Sequence, residues 1–175
     1  QGALRAHRVN RDEEFTVIVG CEILTDIGDI LGLFLHDEIR STSFPEVIDE
    51  IRSQDGLVVL PHPFRGHTLS DVVIRSIDAV EVFNARASET QNVQSQEMAR
   101  RYSLPASAGS DAHTAAEIGL GRIVLHDDPD IRKALMDGKG WGTGSRSPRY
   151  AHYASRLIKA VKLRRLPVSQ AAGTV

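Results

Sequence analysis

The stretch Gly109-Ser110-Asp111-Ala112-His113 places a carboxylate and an imidazole two residues apart, directly after the short apolar run Leu104–Ala108. In an extended segment, residues i and i+2 project from the same face, so Asp111 and His113 can enter one pocket. A hard oxygen donor beside a neutral imidazole nitrogen suits Zn, Mn or Fe. Gly109 lets the backbone turn at the strand end. The competing reading makes Asp111 the cap of a helix beginning near Thr114 and leaves His113 on the surface.

The elements that must position this pair read as alternating strands and helices. Phe15–Ile23 is a β-rich run with almost no polar interruption, which predicts a strand buried on both faces. Thr25-Asp26-Ile27-Gly28-Asp29 is a turn, and Ile30–Leu35 is a second apolar strand that can close a hairpin. Ser43-Phe44-Pro45-Glu46 opens a helix, with Ser43 as its candidate N-cap. The helix leads through Gly56 into Leu57–Leu60, which Pro61 ends. The pattern repeats: a helix over 69–76, a strand over 77–83, a helix over 88–103, a strand over 106–108. A further strand over 122–125 follows, then a helix that Asp128-Pro129-Asp130 starts over Ile131, Ala134 and Leu135, with Gly138 just past its end. Residues 140–148 read as a loop, residues 150–166 as a basic helix, and 167–175 as a tail; residues 149–166 hold six Lys or Arg and no acid. These divisions predict a domain over 1–138, a linker over 139–149 and an appended helix over 150–166.

Functional groups in β/α units collect at the C-terminal ends of the strands. Glu22 comes from the first strand and Asp29 stands at the approach to the second. His62 follows the third, Asn84 and Arg86 the fourth, and Asp111 and His113 the fifth. Glu22, His62, Asp111 and His113, with Asp29 beside them, form a candidate metal-ligand set. Arg65, His67, Asn84 and Arg86 are candidate phosphate contacts, because guanidinium pairs with phosphate oxygens through two hydrogen bonds. Glu22 in an apolar strand could instead be a structural ion pair with an arginine, and His62 between two prolines could simply pack.

Composition narrows the classes further. The chain has 175 residues, 41% hydrophobic and 25% charged, with net charge −2. That is one soluble domain's worth of chain, with no global pull toward nucleic acid or membrane. A single cysteine, Cys21, excludes an internal disulfide,. No long apolar run and no signal-peptide pattern is present, so the expected location is cytoplasmic. No P-loop or dinucleotide fingerprint occurs. The chain opens Gln-Gly-Ala-Leu, with methionine only at 98 and 136, so its first residue is expected not to be a translation start.

Five phrases occur in order: Gly20-Cys21-Glu22-Ile23, Gly28–Leu35, Leu60-Pro61-His62-Pro63-Phe64, Glu81–Arg86 and Gly109–His113. Together they closely resemble the polymerase-and-histidinol-phosphatase (PHP) superfamily of metal-dependent phosphoesterases, from about residue 2 to about residue 138. The resemblance implies an α/β fold, a distorted (βα)7 barrel holding up to three divalent ions (Zn, Mn or Fe). In that family the glutamate at the Glu22 position bridges two metals and the histidine at His62 binds one of them. The residues at Asp111 and His113 bind different ions of the cluster, and Asp111, His113 and Glu22 carry the catalytic roles.

Two departures stand out. Many relatives carry a metal-binding histidine at the Asp29 position. The family also opens with a His-x-His strand and a strand ending Thr-Asp-His, and neither occurs here. The chain is therefore expected to be an N-terminally incomplete barrel of about five of the seven βα units. As a fragment it is expected to bind metal weakly, to be nearly inactive and to self-associate through exposed sheet edges.

The expected activity of the complete domain is hydrolysis of a small phosphomonoester, or of a nucleotide-like phosphate, by a metal-activated water. One alternative is a non-catalytic scaffold whose basic helix meets a partner or polyanion. Another is an oligonucleotide or cyclic-nucleotide phosphodiesterase, which the 5% aromatic content disfavours,.

Overall fold

The computed structural model describes residues 2–148 together with 150, 151 and 153. The appended helix and tail expected over 150–175 lie almost entirely outside the described residues.

A helix α1 (Gly2–Val9) precedes a hairpin of β1 (Gly20–Thr25) and β2 (Gly28–Leu33). Then come α2 (Phe44–Ser53), β3 (Leu57–Leu60), α3 (Asp71–Ser76), β4 (Ala79–Asn84), α4 (Glu89–Tyr102) and β5 (Ala106–Gly109). The strands form one sheet in the order β1-β2-β3-β4-β5. β2 is antiparallel to both neighbours, whereas β3, β4 and β5 are parallel. Four strands therefore run one way, and the β1–β2 turn lies at the same end of the sheet as the C-termini of β3–β5. After a single 3₁₀ turn at Ala115–Glu117, β6 (Gly121–Val124) runs to α5 (Ile131–Met136). β6 then pairs with β7 (Trp141–Gly144) as a separate two-stranded sheet.

Register assigns the two faces of the large sheet. Ile30, Val58, Leu60, Val80 and Val82 form a buried core with Phe44, Val47, Ile48 and Ile51 of α2, Val73 of α3, and Met98 and Ala99 of α4. Residues paired across strands share a face, so Glu22, Leu31, Val59 and Ala79 lie on the other side. Asp29 joins them through its partner Leu24, and Glu81 joins as the next residue but one after Ala79. The face away from the helices thus carries three carboxylates.

Several expectations need correction. The first strand begins at Gly20, not Phe15, because its ladder with β2 ends at the Gly20–Leu33 pair and Phe15 is exposed. β1 is not buried on both faces: it is the outermost strand, with Leu24 71% exposed. The second strand stops at Leu33, where Phe34 takes φ +62°. Ser43 makes no side-chain cap on α2; Oδ1 of Asp26, from the hairpin turn, accepts the Phe44 N–H at 2.7 Å instead. Residues 141–144, read as linker, form β7, and Ser147 N–H donates to Ala85 O at 2.7 Å. Among the described residues no helix is long and apolar enough to cross a membrane.

Candidate metal centre

Glu22, Asp29 and His62 each aim one ligand atom at the others, all within 4.8 Å of one another. His62 Nε2 lies 3.2 Å from Glu22 Oε1 and 3.8 Å from Asp29 Oδ2. The hairpin supplies the two carboxylates from one face, and β3 delivers the histidine at its exit. His62 is 3% exposed, whereas the Glu22 and Asp29 side chains remain 49% and 31% exposed. The hydrogen bond to His62 holds the Glu22 carboxyl below the usual carboxylate range against the opposing pull of burial, and the nearby Arg65 and His113 charges add to it. Two ionised oxygens and an imidazole nitrogen so close are a hard–borderline donor set for a divalent cation. Two carboxylates facing each other also repel until a cation joins them. The donor set fits such an ion.

Asp111 and His113 stand apart from this trio. Asp111 Oδ2 meets Arg65 Nη2 at 2.7 Å, and Asp111 Oδ1 lies 3.5 Å from His113 Nδ1. The Asp111 side chain is 9% exposed, yet its Oδ2 accepts no well-directed hydrogen bond. His113 also turns its Nδ1 back to the Asp111 carbonyl at 2.9 Å, which commits that ring nitrogen locally. Both His62 and Asp111 adopt positive φ, +29° and +48°. Non-glycine residues hold that region only when surroundings over-determine it, at about 1–3 kcal/mol each.

The surroundings that do so are polar and buried. Glu81, 7% exposed, accepts through Oε2 from His62 N at 2.8 Å and from Asn84 Nδ2 at 2.9 Å. Its Oε1 sits where a side chain on Gly109 would go, 2.8 Å from the place of a Cβ, so a larger residue there would force this carboxylate to shift. Burial pushes the Glu81 carboxyl up, more strongly than the Asn84 and His62 hydrogen bonds pull it down. Asn84 Oδ1 in turn accepts the N–H groups of Arg86 and Ala87 at 2.8 and 3.1 Å.

The Arg86 side chain pairs with Glu117 at 3.1 Å, the two being 6% and 1% exposed. Glu117 Oε2 accepts from His113 N, Thr114 N and Thr114 Oγ1 at 3.0–3.1 Å. Burial alone would raise the Glu117 carboxyl; hydrogen bonds from the 113–114 loop and the Arg86 charge outweigh it and hold it low. Thr114, not Asp111, caps the 3₁₀ turn.

The expected phosphate contacts therefore divide. Arg65, 38% exposed, stands at the mouth on Asp111. Arg86 and Asn84 are buried in the scaffold under the strand ends. His67 supports the hairpin: its Nε2 donates to the Asp29 carbonyl at 2.7 Å, and its ring fills the space a Gly28 side chain would need. Burial lowers its basicity, which favours the neutral ring. Glu81 and Glu117 were not among the candidate residues. Glu81 carried a signal, a carboxylate alternating inward in an apolar strand; Glu117 carried none, because its partner lies 31 residues away.

The profile of a family described as PHP-associated matches residues 89–139. The protein MJ0417 of Methanocaldococcus jannaschii is 36% identical over 122 residues, 63% of this chain and 52% of that protein. The chain spans about half the length of the curated relatives it matches. Among solved structures, a two-domain protein from Bacteroides vulgatus, described as containing a predicted PHP-like metal-dependent phosphoesterase, superposes with TM-score 0.60. It does so at 15% identity, over 73% of this chain and 44% of that one. PsfC from Pseudomonas syringae superposes with TM-score 0.58 at 18% identity, over 81% and 65% of the two chains. At those identities the likeness is one of fold.

Proposed function

We propose that the chain is a member of the PHP superfamily and the metal-binding part of a hydrolase that cleaves a small phosphomonoester. The observation that carries the proposal is the convergence of Glu22, Asp29 and His62 on one point at the strand-end mouth. On this reading the sheet is part of a distorted (βα)7 barrel, and its carboxylate-bearing face is the interior.

Glu22, Asp29 and His62 would hold a divalent cation. Such an ion lowers the pKa of bound water from about 16 toward about 7 and acts as a Lewis acid on phosphoryl oxygen. The protein's own residues do the rest. His62 is fixed by the grip of Glu81 on its main chain, so its Nε2 faces the two carboxylates. Arg65, at the mouth, offers guanidinium N–H groups to a phosphate dianion,. Asp111 and His113 line the neighbouring side, Asp111 paired with Arg65 and the His113 N–H held by Glu117. No serine or cysteine nucleophile is required by this scheme.

The test is hydrolysis of an aryl phosphate monoester, against the corresponding diester, with Mn²⁺ or Zn²⁺ added. It is run on this chain and on the whole protein, each with His62→Ala and Glu22→Gln controls. Monoester turnover that both substitutions abolish supports the proposal. Turnover indifferent to them, or to chelation, sinks it.

A further inference from the structure

Asp111 already has a cation beside it, and that cation belongs to the protein. We propose that Arg65 is a built-in counter-charge at the Asp111 end of the mouth, so that this chain takes one divalent ion where its donor atoms would otherwise take two. The inference rests on the metal centre proposed above.

Arg65 comes from the same turn as His62, its N–H donating to the His62 carbonyl at 2.9 Å. The turn that presents the imidazole to Glu22 and Asp29 therefore also delivers a guanidinium to Asp111, at 2.7 Å. The contact has the character of a point charge against a carboxylate. Oδ2 is buried but receives no well-directed N–H, unlike the two-bond fork that guanidinium and carboxylate form when geometry is unconstrained. That is also the oxygen a metal ion would use, since Oδ1 lies toward His113.

Charge accounting agrees. The mouth carries three carboxylates: Glu22 and Asp29, open to solvent, and the mostly buried Asp111. One divalent ion at the first two and one guanidinium at the third bring it to neutrality. Glu81 is buried and engaged by the His62 N–H and the Asn84 amide, and Glu117 is matched by Arg86. A second divalent ion at Asp111 would approach the guanidinium at contact distance and leave the mouth net positive, so it must first displace Arg65. The 38% exposure of the Arg65 side chain gives it a route into solvent.

The test is Mn²⁺ stoichiometry, by calorimetric titration and by elemental analysis after dialysis, for the wild-type chain, Arg65→Lys and Arg65→Gln. We expect one ion per chain for wild type and Arg65→Lys, and two for Arg65→Gln. The second ion is lost again in Arg65→Gln combined with Asp111→Asn. Equal stoichiometry in wild type and Arg65→Gln overturns the inference. If it is one each, lost in Glu22→Gln, the metal centre stands without the counter-charge; if none binds to either, both readings fall.

Discussion

The two sides of the mouth are built on opposite principles. On the hairpin side, Glu22 and Asp29 are half-open to solvent and face one another and His62, and among the described residues no Lys or Arg lies against them at ion-pair distance. On the β4–β5 side, Glu81, Asn84, Arg86 and Glu117 are all buried, and each is engaged by directed hydrogen bonds from neighbours. Carboxylates left open to water around one imidazole make a binding site; satisfied polar groups away from water make a scaffold. The same residue types, carboxylate and arginine, do either job according to burial and partners.

Breaking the scaffold should have the largest effect. Glu117→Ala leaves Arg86 charged and buried, and removal of one partner of a buried pair costs about 3–5 kcal/mol. Denaturant unfolding reads this, and a loss below about 1 kcal/mol would mean the pair is not buried in solution. The opposite side should respond to ligand instead. Mn²⁺ at about 100 times its dissociation constant should stabilise the chain by about 2.7 kcal/mol, seen as a rise in Tm reversed by chelator. Glu22→Gln should remove that gain.

Gly28→Ala tests the hairpin support. Gly28 has φ +123°, and a Cβ there meets the His67 ring at 2.5 Å. The strain is about 1–3 kcal/mol, and Mn²⁺ affinity should fall with it, since His67 holds the Asp29 main chain; unchanged affinity would detach His67 from the site. The smallest effect is in acid. Glu117 is held below its ordinary value of 4.5, so its contribution is complete above that pH and is lost as pH falls through the depressed folded value. Stability measured from pH 6 down to 3 should therefore fall less steeply in Glu117→Gln than in wild type.

Much of this was legible residue by residue. The Thr25–Asp29 turn between apolar runs announced the hairpin, four consecutive apolar residues announced β3, and Pro61 its end. Strand-end logic found Glu22, Asp29 and His62, because alternation and chain direction are local properties. β7 escaped, since Gly140-Trp141-Gly142-Thr143-Gly144 has the composition of a loop and becomes a strand only by pairing with Gly121–Val124. Its glycines are what packing requires: a Cβ on Gly142 would meet Phe83, Val82 and Ala108 within 3.1 Å.

The sequence by itself determined which side chains with chemistry reach the end of the sheet. A strand's direction and its two-residue period follow from the chain alone. Only the tertiary structure decided which of them stay open to a ligand and which are bound into the frame. Arg65 and Arg86 are indistinguishable as letters, and it is the burial of one against Glu117 and the exposure of the other at Asp111 that separates scaffold from site.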